Sequence, residues 1–224
     1  MKYDGNFGDH DHLVSFDIET THYDADKGET VAIGVGQYEL ESSGSTRHQI
    51  FARDQPGIED EYKLVERAFE FIDRLDGDTL VSYNGVEFDM DFLYKRSARF
   101  EQSVPWPELQ TTDRHIDLFA GRKAACGPND KWPSLEECLD SYDLPVPKTV
   151  WNGAPLDNTR FGDEFAPAFL NALAEGDEQV ISRYRGVLDH YLTTDLEANI
   201  ALYCADQGLP FDPKHLGLHG DFQT

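Results

Sequence analysis

The run from Leu13 to Thr21 constrains the chain most, because it places two carboxylates inside an otherwise apolar, β-branched segment. Its sequence, LVSFDIETT, predicts a strand, and side chains alternate between the two faces of a strand. Asp17 and Glu19 therefore share one face, where two like charges are costly to desolvate without a counter-charge. The pattern predicts either a divalent-cation site, because Mg²⁺ and Mn²⁺ prefer oxygen ligands, or an edge strand whose carboxylates face water.

The length of 224 residues suits one large domain or two small ones. The chain has no run of 18 apolar residues and no apolar signal-peptide core, so we expect a soluble, cytoplasmic protein without membrane association. Its three cysteines are scattered and include no CxxC pair, which argues against a disulfide framework or a zinc site.

The chain is strongly acidic, with 43 Asp and Glu against 19 Lys and Arg and a formal net charge of −24. One interpretation is that it is no general binder of polyanions, since phosphate binding favours Lys and Arg. The other is that the acids, which are spread along the chain, keep the surface soluble in a halophilic host. In that case net charge says little about the partner.

Residue patterns predict strands followed by strands that alternate with helices. The predicted strands are 13–20, 30–40, 47–53, 79–82 and 114–118. The predicted helices are 60–75, 88–99, a short one capped by Ser134 and Glu137, 164–175 and 179–205. A loop is expected at 41–46, and 145–161 reads as irregular. This order predicts an α/β fold with a mixed five-stranded sheet flanked by helices, as a single domain over 1–224 with a core of about 12–205 and tails at 1–11 and 207–224.

Two further motifs carry side chains suited to the same chemistry. The segment YNGVEFD places Asp89 at the start of a helix after a predicted strand, although Asn-Gly is also a common turn signal. Tyr191 and Asp195 lie four residues apart on the long C-terminal helix and so share a face, as residues of many surface helices do. Each motif alone is weak, because short motifs match by chance.

Together the three motifs resemble those of DEDD-type 3′–5′ exonucleases, in the subclass whose third motif is Y-x-x-x-D. The second motif is most similar to the proofreading exonuclease domain of family-B DNA polymerases, and His115 to Leu118 also resembles a strand found there. The resemblance covers about residues 12 to 205 and implies a ribonuclease H-like fold. The chain departs from that family in its context, because it is too short for a polymerase module and has no basic stripe.

The resemblance implies two divalent cations, Mg²⁺ or Mn²⁺, held by four carboxylates. Asp17 would bridge both ions, Glu19 and Asp195 would complete the first site, and Asp89 would support the second. Tyr191 would orient the attacking water, because a phenol with an ordinary pKa of about 10 positions a water better than it accepts a proton.

Substrate contacts follow from the same resemblance and from local charge. Asn84 and Phe88 would lie beside the terminal nucleotide, although Phe88 could equally belong to the core. The candidate phosphate contacts are basic residues after the second motif and after the fifth strand, for which ordinary solvated helix charge is the alternative: Lys95, Arg96, Arg99, Arg122 and Lys123.

The sequence therefore predicts a metal-dependent 3′–5′ exonuclease that acts on 3′ ends of DNA, in particular single-stranded ends, and that has a replication or repair partner. The alternatives are a 3′–5′ exoribonuclease and a non-catalytic module that binds nucleic acid or a replication partner. An inactivated copy would be expected to have lost a carboxylate or the tyrosine, and all five groups are present. The oligomeric state does not follow from the sequence.

Overall fold

The computed structural model describes residues 1–40 and 46–224. Within these ranges the strands form two sheets. The strands are β1 (His12–Thr20), β2 (Thr30–Glu39), β3 (Thr46–Ala52), β4 (Thr79–Ser82), β5 (His115–Asp117), β6 (Lys148–Trp151), β7 (Ala154–Pro155) and β8 (His219–Phe222). The helices are α1 (Ile58–Arg74), α2 (Asp91–Ser97), α3 (Leu118–Ala125), α4 (Leu135–Ser141), α5 (Asn158–Arg160), α6 (Ala166–Glu175) and α7 (Glu178–Gln207). None of the helices in these ranges is both long and apolar enough to span a bilayer.

The larger sheet has the order β3-β2-β1-β4-β5. The first three strands form an antiparallel meander, whereas β4 and β5 run parallel to β1. The predicted mixed five-stranded sheet with flanking helices is therefore confirmed. Because β1, β4 and β5 are parallel, their carboxyl ends meet at one edge, and the residues that follow them lie close together.

The alternation along β1 decides what lies on each face of this sheet. Val14, Phe16 and Ile18 belong to a buried cluster shared with residues of α1, including Phe69. On the opposite face, Ser15 accepts a hydrogen bond from Asn199 of α7, at 3.4 Å. The face that carries Asp17 and Glu19 is thus the face that α7 covers.

A glycine sets how closely α7 approaches the sheet. Gly34 of β2 pairs with Asp17 of β1, and a Cβ at this position would lie 3.2 Å from Leu196 and 3.3 Å from Leu192 of α7. Such separations are tighter than ordinary packing distances, so a larger residue would push α7 away. Gly34 therefore lets the helix that carries Asp195 lie directly over the carboxylates of β1.

Two sequence predictions need correction, and a third lies almost entirely outside the described residues. Residues 145–161 are not irregular, because they contain β6, β7 and α5, and β6 also pairs in parallel with β8. The helix predicted at 88–99 begins earlier, with a π-helical turn at Gly85–Met90, and continues as α2. The loop predicted at 41–46 lies outside the described residues except for Thr46, which begins β3.

The segments predicted as tails are packed against the rest of the chain. In the N-terminal segment, Phe7 stacks on Tyr203 of α7 with ring centroids 5.7 Å apart. In the C-terminal segment, the buried Glu197 carboxylate accepts backbone N–H hydrogen bonds from three consecutive residues, Lys214, His215 and Leu216. A carboxylate satisfied in this way fixes the segment that leads to β8.

Several predicted phosphate contacts are engaged elsewhere. The Arg96 side chain is buried and donates to both carboxylate oxygens of Glu61, at 2.9 and 2.5 Å. Arg122 and Asp206 form a fully buried ion pair at 2.6 Å. The other three basic residues pair with carboxylates at the surface: Lys95 with Asp91, Arg99 with Asp26, and Lys123 with Glu87. Arg96 and Arg122 are therefore structural residues, and the prediction that they contact phosphate is wrong.

The Arg96 pair joins α1 and α2, so its loss should destabilise the fold. We expect Arg96→Ala to lower the free energy of unfolding by about 3–5 kcal/mol, because the buried Glu61 carboxylate would lose its counter-charge. Lys95→Ala, which removes an exposed ion pair on the same helix, should leave stability unchanged. Urea denaturation monitored by circular dichroism measures both, and equal midpoints for the two variants would contradict the assignment.

Candidate active site

Three carboxylates from two elements converge over the end of β1. Carboxylate oxygens of Asp17, Glu19 and Asp195 all lie within 4.8 Å of one another. The strand supplies the first two because residues two apart share a face, and α7 supplies the third because Gly34 permits close approach. The structure thus brings together three of the residues that the sequence predicted to share a site.

Asp89 approaches this group from the turn after β4. Its side chain is almost fully buried, and its Oδ2 has no hydrogen-bond partner among the described residues. Burial, followed by the negative charges of Asp17 and Asp117, raises the pKa of Asp89 well above its usual range. A buried carboxylate oxygen without a hydrogen-bond partner, whose charge interacts with Asp17 and Glu19, is suited to bind a cation.

The turn that carries Asp89 is held by Asp117 at the end of β5. The Asp117 carboxylate accepts hydrogen bonds from the backbone N–H groups of Asn84, at 2.9 Å, and Val86, at 3.2 Å. Asn84 has a left-handed backbone with φ of 66°, which asparagine tolerates better than most residues. At Gly85 a Cβ would lie 2.2 Å from the Ser82 hydroxyl oxygen, so only glycine fits there. The backbone conformation of Asn84 and the missing side chain of Gly85 thus allow the π-helical turn to begin directly after β4.

Burial and mutual repulsion disfavour charge on all four carboxylates. Burial raises the pKa of Asp17 to about 7. Burial is also the main reason why the pKa values of Glu19, Asp89 and Asp195 lie well above their usual range, and the charges of neighbouring carboxylates add to it. A bound divalent cation would reverse this balance by supplying the missing positive charge. The donors are all carboxylate oxygens, so they fit Mg²⁺ or Mn²⁺.

Tyr191 lies one helical turn before Asp195 and is 8% exposed. Burial, followed by the charges of Glu19, Asp195 and Asp17, raises the pKa of its phenol well above the usual range, so the hydroxyl stays protonated. The hydroxyl donates a hydrogen bond to Asn158 Oδ1 at 2.9 Å. Its ring packs against that of Phe161, with centroids 5.5 Å apart.

A cleft of about 480 Å³ opens beside Tyr191 and Asp195. Its opposite wall belongs to the smaller sheet and to α5, through Lys148, Thr149 and Asn158, and Glu136 of α4 also lines it. After burial and the charge of Asp17, the negative charge of Glu136 raises the pKa of Asp195 further. Lys148, Thr149 and Asn158 fall in the segment 145–161, which the sequence predicted to be irregular, and for this reason they were not among the predicted site residues. The capping signal of Asp157, whose side chain accepts from the Arg160 N–H at 2.8 Å, could have indicated α5.

The two predicted substrate contacts lie on the turn that carries Asp89. Asn84 is partly exposed, and Phe88 is half-buried with its ring 6.0 Å from that of Phe92. Both side chains are therefore accessible from outside, and their contact with a nucleotide stays a prediction.

The raised pKa of Asp17 gives a pH dependence to the stability of the metal-free protein. Between about pH 4 and pH 7 folded Asp17 holds a proton that unfolded Asp17 has lost, so its contribution to stability is lost as the pH rises through 7. We expect Asp17→Asn to be more stable than wild type by more than about 1 kcal/mol at pH 8, and the gap to close near pH 4. Urea denaturation with EDTA measures the gap, and a gap independent of pH would contradict the expectation.

Part of the chain is similar in sequence to DNA polymerases. A DNA polymerase of Thermococcus litoralis is 30% identical over 119 residues, which are 48% of this chain and 7% of the polymerase. The chain thus spans a small part of that relative, and the similarity to DNA polymerases expected from the motifs is confirmed.

Solved structures align over most of the chain at low identity. The family B DNA polymerase of Pyrobaculum calidifontis covers 88% of this chain and 27% of its own, at 15% identity and a TM-score of 0.48. E. coli Exonuclease I in complex with a dT13 oligonucleotide covers 87% of this chain and 45% of its own, at 12% identity and a TM-score of 0.42. A family model described as RNase_H superfamily matches residues 14–144, more than half of the chain, so the chain belongs to the RNase H superfamily.

Proposed function

We propose that this protein is a metal-dependent 3′–5′ exonuclease that hydrolyses phosphodiester bonds at 3′ ends of DNA, in particular single-stranded ends. The convergence of Asp17, Glu19 and Asp195 beside the neutral phenol of Tyr191 carries the proposal. Carboxylates forced together at this distance are unstable as anions without a cation, and a phenol that cannot ionise is suited to orienting a water.

Asp17, Glu19, Asp89 and Asp195 would hold two divalent cations, Mg²⁺ or Mn²⁺. When bound, the cations would make hydroxide available as a nucleophile near neutral pH and stabilise the negative charge on the leaving oxygen. The chain's own residues fix the position of the reaction. Gly34 sets the distance of Asp195 from β1, and Asp117 holds the turn of Asp89.

Tyr191 would hold the attacking water by a hydrogen bond rather than remove its proton, because the raised pKa of its phenol prevents it from acting as a base. The cleft between Tyr191 and the wall of the smaller sheet would receive the terminal nucleotide, with Asn84 and Phe88 at the turn of Asp89. Lys148 lies in this cleft, so its ammonium group could approach a substrate phosphate.

We propose DNA rather than RNA as the substrate, because the similar protein of Thermococcus litoralis is a DNA polymerase. An exoribonuclease and a non-catalytic binding module are outcomes that the experiment below would reveal. A single domain over 1–224, a cytoplasmic location, a halophilic host and a replication or repair partner stay predictions of the sequence.

The test is incubation of a 5′-labelled single strand, as DNA and as RNA, with Mn²⁺ or Mg²⁺ at low and at molar KCl. A 3′–5′ exonuclease should give a ladder of shortened, still labelled DNA. Asp17→Ala should be inactive, because it removes one of the carboxylates that would hold the cations. Tyr191→Phe should be about 10²–10³-fold slower, the usual loss for one hydrogen bond that acts at the reacting atoms.

Asp91→Ala is the matched control, because Asp91 is an exposed carboxylate two residues from Asp89 that pairs with Lys95. It should retain wild-type activity. If neither strand is shortened under any of these conditions, the nuclease proposal is refuted. If only RNA is shortened, the substrate is RNA and not DNA. Full activity of Tyr191→Phe would show that the tyrosine has no role in catalysis, and the four carboxylates alone would then form the proposed site.

A further inference from the structure

The hydrogen bond between Tyr191 and Asn158 gives Asn158 a role that the motifs do not assign. We propose that Asn158 is a positioning residue: it takes the only hydrogen of the Tyr191 hydroxyl, so that the phenol oxygen meets the attacking water as an acceptor. This inference rests on the proposed exonuclease function.

The chemistry of the hydroxyl determines what it offers a water. A neutral phenol has one hydrogen to donate and oxygen lone pairs to accept with. In the structure that hydrogen points to Asn158 Oδ1, at 2.9 Å. The remaining lone pairs can accept a hydrogen from a water, and a water held in this way keeps its own lone pair free for attack on phosphorus.

The direction of the hydroxyl also protects the carboxylates. The negative charges of Glu19, Asp195 and Asp17 act on the Tyr191 phenol, so they attract its hydrogen in competition with Asn158. A hydroxyl that donated to one of them would occupy an oxygen needed for a cation. Asn158 offers an uncharged acceptor on the opposite wall of the cleft and thereby keeps those oxygens free.

The position of Asn158 is fixed by contacts that do not involve its own side chain. Arg160, in the same short helix, donates to the carbonyl oxygens of Trp151 and Ala154, both at 2.8 Å, which ties α5 to β6 and β7. The next residue, Phe161, packs its ring on that of Tyr191. Asn158 itself is exposed, so substituting it should leave the core intact.

The test is a double-mutant cycle on kcat and KM with the labelled DNA strand. We expect Asn158→Ala to lower kcat about five- to tenfold, the usual worth of one neutral hydrogen bond, with little change in KM. In the Tyr191→Phe background, Asn158→Ala should cause no further loss, because the hydroxyl it positions is absent.

Asn158→Asp keeps an acceptor oxygen and should retain kcat close to that of Thr159→Asp. The latter adds the same charge at the neighbouring exposed residue of the cleft wall. Thermal unfolding checks that each variant is folded.

Equal losses from Asn158→Ala in the two backgrounds would overturn the inference, as would an Asn158→Asp variant as slow as Asn158→Ala. An active wild type with an unaffected Asn158→Ala variant would refute this inference alone. An inactive wild type would refute the proposed function and this inference together.

Discussion

The free-energy cost of gathering four carboxylates away from water is the constraint on which the site depends; burial is its larger part, and repulsion between the carboxylates adds to it. Asp17, Glu19 and Asp195 are brought within 4.8 Å of one another by a strand and a helix whose packing is set elsewhere. The free energy for this arrangement comes from the apolar contacts of β1 and α7, including Leu192 and Leu196 against Gly34. The fold therefore keeps the carboxylates together at a cost, and the arrangement becomes favourable when positive charge is added.

Some of the positive charge of the chain is held in buried ion pairs. Within the described residues, two arginines that the sequence offered as phosphate contacts are buried in ion pairs that join elements, Arg96 with Glu61 and Arg122 with Asp206. In each pair the charge of the arginine is balanced by its own carboxylate partner. A divalent cation would supply positive charge at the site, and the all-oxygen ligand set suits such a cation.

The local features of the sequence predicted much of the fold and three of the carboxylates that the structure brings together. Alternation along β1 placed Asp17 and Glu19 on one face, and the four-residue spacing placed Tyr191 and Asp195 on one side of α7, because both rules depend only on neighbouring residues. The segment 145–161 was misread because β6 has its parallel partner, β8, about 70 residues later in the chain. Asn158 was missed for the same reason, since its contact with Tyr191 joins residues 33 positions apart. The C-terminal segment owes its order to Glu197, a buried carboxylate that no local pattern marks.

The central claim is that the carboxylates are held partly protonated until a divalent cation binds. Calorimetric titration of the metal-free protein with Mn²⁺ at pH 7, in two buffers of different ionisation enthalpy, tests it most directly. If the claim is right, the binding heat differs between the buffers because protons are released, and Asp17→Asn binds more weakly and releases fewer protons. Absence of binding, or a heat that is the same in both buffers, would contradict it.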